Sequence, residues 1–165
     1  MKQFLILIVS SFLFSIASYA QSQPNIGCLD KSIKMQAVDL QLSFAKQNMT
    51  VYKDATVRLS SQEPFPIEVE LKKGTLYQFV FIGSKDASKI KMELFDGADK
   101  KIADKTITPN SSNNNSNCIM YSFTPATNDL YLLMLSQKNK GSSKCTSFTI
   151  MQLNKDKKAD SSNSK

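Results

Sequence analysis

A serine followed three residues later by a lysine occurs twice, in Ser43-Phe44-Ala45-Lys46 and Ser88-Lys89-Ile90-Lys91. With that spacing a lysine amine can activate a serine hydroxyl as a nucleophile. The companion Ser-Asp-Asn and Lys-Thr-Gly motifs are missing. The first copy falls inside a helical pattern and the second runs into a strand, so both read as chance products of a Ser- and Lys-rich chain. Glu68 and Glu70 lie two apart on one strand face, a placement that a pair of glycosidase carboxylates could use, yet an ordinary solvent face has the same spacing. Asp96-Gly97-Ala98-Asp99 offers oxygen ligands to calcium without the further acidic ligands of a loop site, and a hairpin turn accounts for it. The chain has no histidine. That removes the commonest general base, the usual zinc ligand and every Ser-His or Cys-His nucleophile. The residues therefore predict no enzyme, no catalytic residue, no metal and no cofactor.

Three cysteines remain, Cys28, Cys118 and Cys145, and their meaning depends on the compartment. Met1-Lys2-Gln3 gives a short positive start, residues 4–17 are almost continuously apolar, and Ser18-Tyr19-Ala20 supplies small residues at a cleavage site. A signal peptide over residues 1–20 is expected, and with it an exported protein, periplasmic or extracellular. The apolar run is too short for a membrane span and nothing later approaches one. Export makes a disulfide plausible, and an odd count leaves one thiol over. Cys28 with Cys145 is preferred, because it ties the chain entry before the helix to the start of the last strand. Cys118 with Cys145 is the close competitor.

Lys and Arg number 21 against 14 Asp and Glu, a net charge of +7. Basic chains of this kind invite a nucleic-acid reading. Arg58 is the only arginine, however, and phosphate recognition leans on the bidentate guanidinium. The lysines are scattered through turns and polar faces, so a solvated surface is expected and no nucleic-acid partner.

The elements that must position these groups follow from periodicity. Ile33, Ala37, Leu40 and Phe44 recur at helical spacing, which predicts an N-terminal amphipathic helix over residues 30–48 capped by Asp30. Beyond it the period becomes two. Val57 and Leu59 alternate with Thr56, Arg58 and Ser60. Phe65, Ile67, Val69 and Leu71 share one face opposite Glu68 and Glu70, and Ile90, Met92 and Leu94 do the same against Lys91 and Glu93. Residues 76–82 and 130–135 are apolar on nearly every position, as a strand covered on both sides would be. Tyr121, Phe123, Tyr131 and Leu133 are expected to fill a core, with Pro125 setting a hairpin turn between their strands. The Phe148-Thr149-Ile150-Met151 strand is expected to close the set. Turn signals at Lys72-Lys73-Gly74 and Asp96-Gly97 bring the count to about eight strands.

These runs predict a mainly β fold: a two-sheet antiparallel β-sandwich, jelly-roll-like, with the helix across one outer face. One domain is expected over residues 21–153, with residues 109–117 a polar surface loop and residues 154–165 a disordered tail.

The order of Leu71-Lys72-Lys73-Gly74-Thr75-Leu76-Tyr77, then Met92-Glu93-Leu94-Phe95-Asp96-Gly97, then Tyr121-Ser122-Phe123-Thr124-Pro125 and Asp129-Leu130-Tyr131-Leu132 resembles the bacterial pre-peptidase C-terminal domain. The resemblance covers roughly residues 64–153 and departs at Asn128-Asp129, where that family usually places a glycine before the aromatic. It implies a small β-sandwich that accompanies secreted enzymes without being catalytic. The expected function is a non-catalytic exported module that binds a protein or cell-envelope component. The alternatives are a carbohydrate-binding module, for which an exposed subset of the aromatics could stack on sugar rings although no Trp is present, or a Ser/Lys hydrolase.

Overall fold

The computed structural model describes residues 27–61, 63–109 and 116–154. The expected signal peptide, the centre of the polar loop at residues 110–115 and the expected tail from residue 155 lie outside the described residues. Among the described residues one helix, α1 (Lys31–Ala45), precedes eight strands: β1 (Met49–Leu59), β2 (Phe65–Leu71), β3 (Tyr77–Ile82), β4 (Lys89–Phe95), β5 (Lys101–Ile107), β6 (Cys118–Phe123), β7 (Asp129–Lys138) and β8 (Lys144–Leu153).

Helix α1 begins where the Asp30 carboxylate accepts from the Ser32 and Ile33 amides at 2.9 and 3.2 Å, satisfying donors that have no partner inside the helix. It ends near Asn48, whose φ of 62° breaks the helical path. Ile33 and Ala37 are buried against Val80 and Ile82 of β3, with Leu40, Phe44, Cys118 and Cys145 packed around them. The helix thus covers the outer face of one sheet.

The strands form two four-stranded antiparallel sheets, β1-β8-β3-β6 and β2-β7-β4-β5. Their pairing is nested: β4 with β5, β3 with β6, β2 with β7 and β1 with β8. Successive pairs lie in opposite sheets, as when one long hairpin is rolled up into a jelly roll. The innermost turn, between β4 and β5, joins paired strands. There the Asp96 carboxylate accepts from the Ala98 and Lys100 amides at 3.0 and 2.9 Å, and Asp99 takes a φ of 58°.

Nested pairing corrects the hairpin expected between Tyr121 and Tyr131. Strand β6 belongs to one sheet and β7 to the other, so residues 124–128 cross between layers. The Lys72-Lys73-Gly74 turn crosses likewise from β2 to β3. The two crossovers lie side by side and bond to each other: the Gly74 amide donates to the Pro125 carbonyl at 2.9 Å and the Lys73 amide to Asn128 Oδ1 at 2.7 Å.

Between the sheets lies a core that includes Phe79, Phe81, Leu94, Leu133, Leu135 and Ile150. Tyr131 and Leu133 belong to it as expected, whereas Tyr121 and Phe123 are half-buried at its margin. Strand β3 is buried on every residue, one face in the core and the other under α1. Two expectations about strand placement change. The last strand, β8, does not close the set; it lies between β1 and β3 and is the second strand covered on both sides. Strand β7 is interior to its sheet but buried on one face only, with Tyr131, Leu133, Leu135 and Gln137 inward. Two loop boundaries also move. Asn117 is buried and its amide donates to the Gly83 carbonyl at 2.7 Å. Asn154, placed in the tail by sequence, is held by the Asn48 side chain, which donates to its carbonyl at 3.0 Å.

Candidate functional site

The structure does not assemble the groups that could have done chemistry. Ser43 and Lys46 are both exposed on α1. Ser88 donates its hydroxyl to the Lys138 carbonyl at 3.1 Å, while Lys91 is drawn to Glu93 at 2.8 Å and Asp104 at 3.4 Å. Lys101 joins the same cluster, whose hydrogen bonds hold the Glu93 and Asp104 carboxyls below their ordinary range and raise both lysines. The four groups form a wet ionic patch on the face of β4 and β5. Asp96 is absorbed by its turn. Among the described residues no group of three or more Cys, Asp or Glu could hold a metal ion.

Cys28 and Cys145 are joined as a disulfide, Cα to Cα 5.8 Å, and Cys118 is free. Burial pushes the Cys118 thiol up to about 11, because a thiolate there would lose its hydration. Labelling of the folded protein by a maleimide or disulfide reagent at pH 8 is therefore expected to run about a hundredfold slower than for an unfolded thiol. Labelling at the unfolded rate would contradict that burial.

The groups that do converge were not picked out together by sequence. Strand β1 carries a bulge between Val51 and Lys53, so Tyr52 has no partner in the β8 ladder and its side chain is re-aimed. The Tyr52 hydroxyl donates to the Glu70 carbonyl of β2 at 2.7 Å, and its ring packs on that of Tyr77 with centroids 5.5 Å apart. Desolvation and the neighbouring Tyr77 and Glu70 raise the Tyr52 phenol, keeping it neutral. Lys53 Nζ similarly donates to the Glu68 carbonyl at 2.8 Å. These bonds and Pro66, which has no amide hydrogen, blunt β2 as a template for a foreign strand.

Beside Tyr52 opens a hollow of about 480 Å³, lined also by Glu70, Lys72, Asn128, Asp129 and Leu130. Both layer crossovers contribute to it, through Lys72 and Asn128. Asp129 Oδ1 accepts from the Leu130 amide at 2.8 Å. A Cβ on Gly97 would meet that oxygen at 2.5 Å, so the β4–β5 turn also needs its glycine for the Asp129 carboxylate to stay in place.

From the hollow an apolar stripe runs along β7. Leu130 is 46% exposed, and Leu132 and Met134 are half-buried on the same outward face. In register beside them stand Glu70, Glu68 and Pro66 on β2, with Phe95 and Glu93 on β4. Helix α1 packs on β1, β3 and β8, so among the described residues no helix covers this face of the second sheet. Of these residues, sequence reading marked Glu68 and Glu70 and took residues 130–135 for doubly covered strand. The outward leucines were legible as apolar, but their exposure was not.

No family model and no curated protein matches the chain. Among solved structures, one described as "CBM4 structure and function" overlays with 11% identity, covering 63% of this chain and 77% of that one at a TM-score of 0.39. The C-terminal family 22 carbohydrate-binding module of Clostridium thermocellum Xyn10B overlays with 15% identity over 64% of this chain and 82% of that one, TM-score 0.25. An arabinose-bound MgGH51 α-L-arabinofuranosidase overlays with 9% identity over 60% of this chain and 19% of that one, TM-score 0.33. Similarity at this level does not indicate what the chain binds.

Proposed function

We propose that this chain is a non-catalytic exported module that binds a protein or cell-envelope component through the Tyr52 hollow and the β7 stripe continuous with it. One observation carries the reading: a hollow and an exposed apolar stripe share Leu130 and adjoin, bordered by charge, and the stripe lies on the sheet face that no helix covers among the described residues. Uncovered apolar surface rimmed by polar groups is a feature of interaction sites. The candidate nucleophiles lie elsewhere, exposed on α1, bonded to a carbonyl, or partly buried with a raised pKa. Export is supported by the apolar leader in the sequence, and the disulfide is compatible with an oxidising compartment.

The test is co-sedimentation of purified protein with washed envelope from the source cells. Wild-type protein is expected in the pellet, and Leu132→Glu, which puts a charge at the centre of the stripe, is expected to reduce pelleting at least tenfold with the fold intact. Equal pelleting of both forms, or none of either, removes the reading. The hydrolase alternative predicts covalent labelling by a fluorophosphonate or β-lactam probe that is lost in Ser43→Ala or Ser88→Ala.

A further inference from the structure

We infer that the Tyr52 hollow is a binding site for a neutral saccharide, an inference that rests on the binding-module reading and names the ligand class of the hollow. Tyr52 is 40% exposed, yet its side chain is held at two points. Its hydroxyl is anchored 2.7 Å from the Glu70 carbonyl and one side of the ring leans on Tyr77 at an interplanar angle of 59°. An exposed aromatic that is already immobilised gives a platform for the C–H face of a sugar ring, with little further ordering when the ligand arrives.

Around that platform the hollow supplies hydrogen-bonding groups of the kinds a polyhydroxylated ring uses. Glu70 and Asp129 bring carboxylates, Asn128 an amide and Lys72 an ammonium. Carboxylates accept from hydroxyls, and an ammonium donates to hydroxyl or ring oxygens. A volume of about 480 Å³ lies within the range of small-molecule sites, roughly 300–1,000 Å³. The two crossovers that contribute Lys72 and Asn128 are tied to each other by the bonds from Lys73 to Asn128 and from Gly74 to Pro125.

Charge selects among sugars. Two carboxylates and one ammonium leave the hollow locally negative on a chain of net charge +7. A uronic acid, sulfate or phosphate would enter a lining with more carboxylates than ammonium groups, and an amine would meet Lys72 among that lining. Neutral hydroxyls meet neither penalty.

Isothermal titration with cellohexaose, xylohexaose, mannohexaose and chitohexaose, and with polygalacturonate as the acidic probe, tests the assignment. At least one neutral hexasaccharide is expected to bind, and more tightly than polygalacturonate. Tyr52→Ala should weaken it about tenfold or more. Tyr52→Phe, which keeps the ring and loses the anchoring hydroxyl, should stay within about threefold, and Glu70→Gln or Asp129→Asn should weaken binding severalfold. Thermal melts confirm that each variant is folded. No binding by any neutral probe, binding that ignores Tyr52→Ala, or tighter binding of polygalacturonate overturns the inference. Envelope co-sedimentation separates the two levels. If pelleting persists and still depends on Leu132 in those cases, the saccharide site alone is wrong; if pelleting is also absent, the module reading falls with it.

Discussion

Replacing Cys28 and Cys145 with alanine is expected to lower the unfolding free energy by about 4–5 kcal/mol in urea titrations. The bond spans 117 residues, most of the described chain, and in the chain-entropy model the cost of leaving so long a loop open in the unfolded state is about 4.7 kcal/mol or slightly more. The effect is also local. The bridge ties the residues before α1 to the start of β8, at the position where Cys145 faces Arg58 of β1 in the ladder. Gly27, next to Cys28, donates its amide to the Thr56 carbonyl at 2.9 Å. Without the bridge, α1 is held by its Asp30 cap, by the packing of Ile33, Ala37, Leu40 and Phe44, and by the bonds that Gln36 and Gln41 donate to Asn117 and Thr149. Hydrogen exchange should then show α1 amides losing protection before those of β3 and β8. A loss of stability below about 1 kcal/mol, or a helix as protected as the central strands, would show that the bridge adds little beyond the packing.

How much of this was legible in sequence differs element by element. Helix α1 could be read because one face of it buries large side chains and Asp30 stands where an orphaned amide needs an acceptor. Strands β2 and β4 could be read because each has one wet face, so period two survives in the residues. The exchange between β7 and β8 shows where the signal stops. Leu130, Leu132 and Met134 look like a second buried face, but burial is set by what lies over the sheet, and α1 lies over the other one. The face of β8 beneath α1 is built from Ser147, Thr149 and Met151. It tolerates burial because its hydroxyls find partners, as when Gln41 donates to Thr149 Oγ1 at 3.1 Å. Polar residues that are satisfied can be as buried as leucines.

The hollow was illegible for a different reason. Tyr52, Lys72 and Asn128 are far apart in sequence and meet through the nesting of β1/β8 outside β2/β7 and through one bulge. Neither leaves a local pattern: nesting is a matter of which strands pair, and the bulge is a matter of register. The five residues between β6 and β7 would fit a hairpin loop just as well as the crossover they form.

Adjacent leucines on β7 give the sharpest test of that one-sided burial. Leu133→Ala is expected to cost about 3–5 kcal/mol, and Leu132→Ala less than about 1 kcal/mol. Leu133 is 1% exposed and stands between Ile67 of β2 and Leu94 of β4 in the layer shared by both sheets. Truncation there removes buried methyls and leaves a cavity that two packed sheets cannot close. Leu132 points the other way, between Glu68 and Phe95 on the uncovered face, where water fills the space left by the missing atoms. The residue type, strand and substitution are the same, so intrinsic strand preference cancels and the difference reports burial alone. Urea titrations of the two variants under one condition measure it. Nearly equal losses would mean that the outward face of β7 is covered in solution, by chain outside the described residues or by a second copy, and the stripe would then no longer be available to bind anything else.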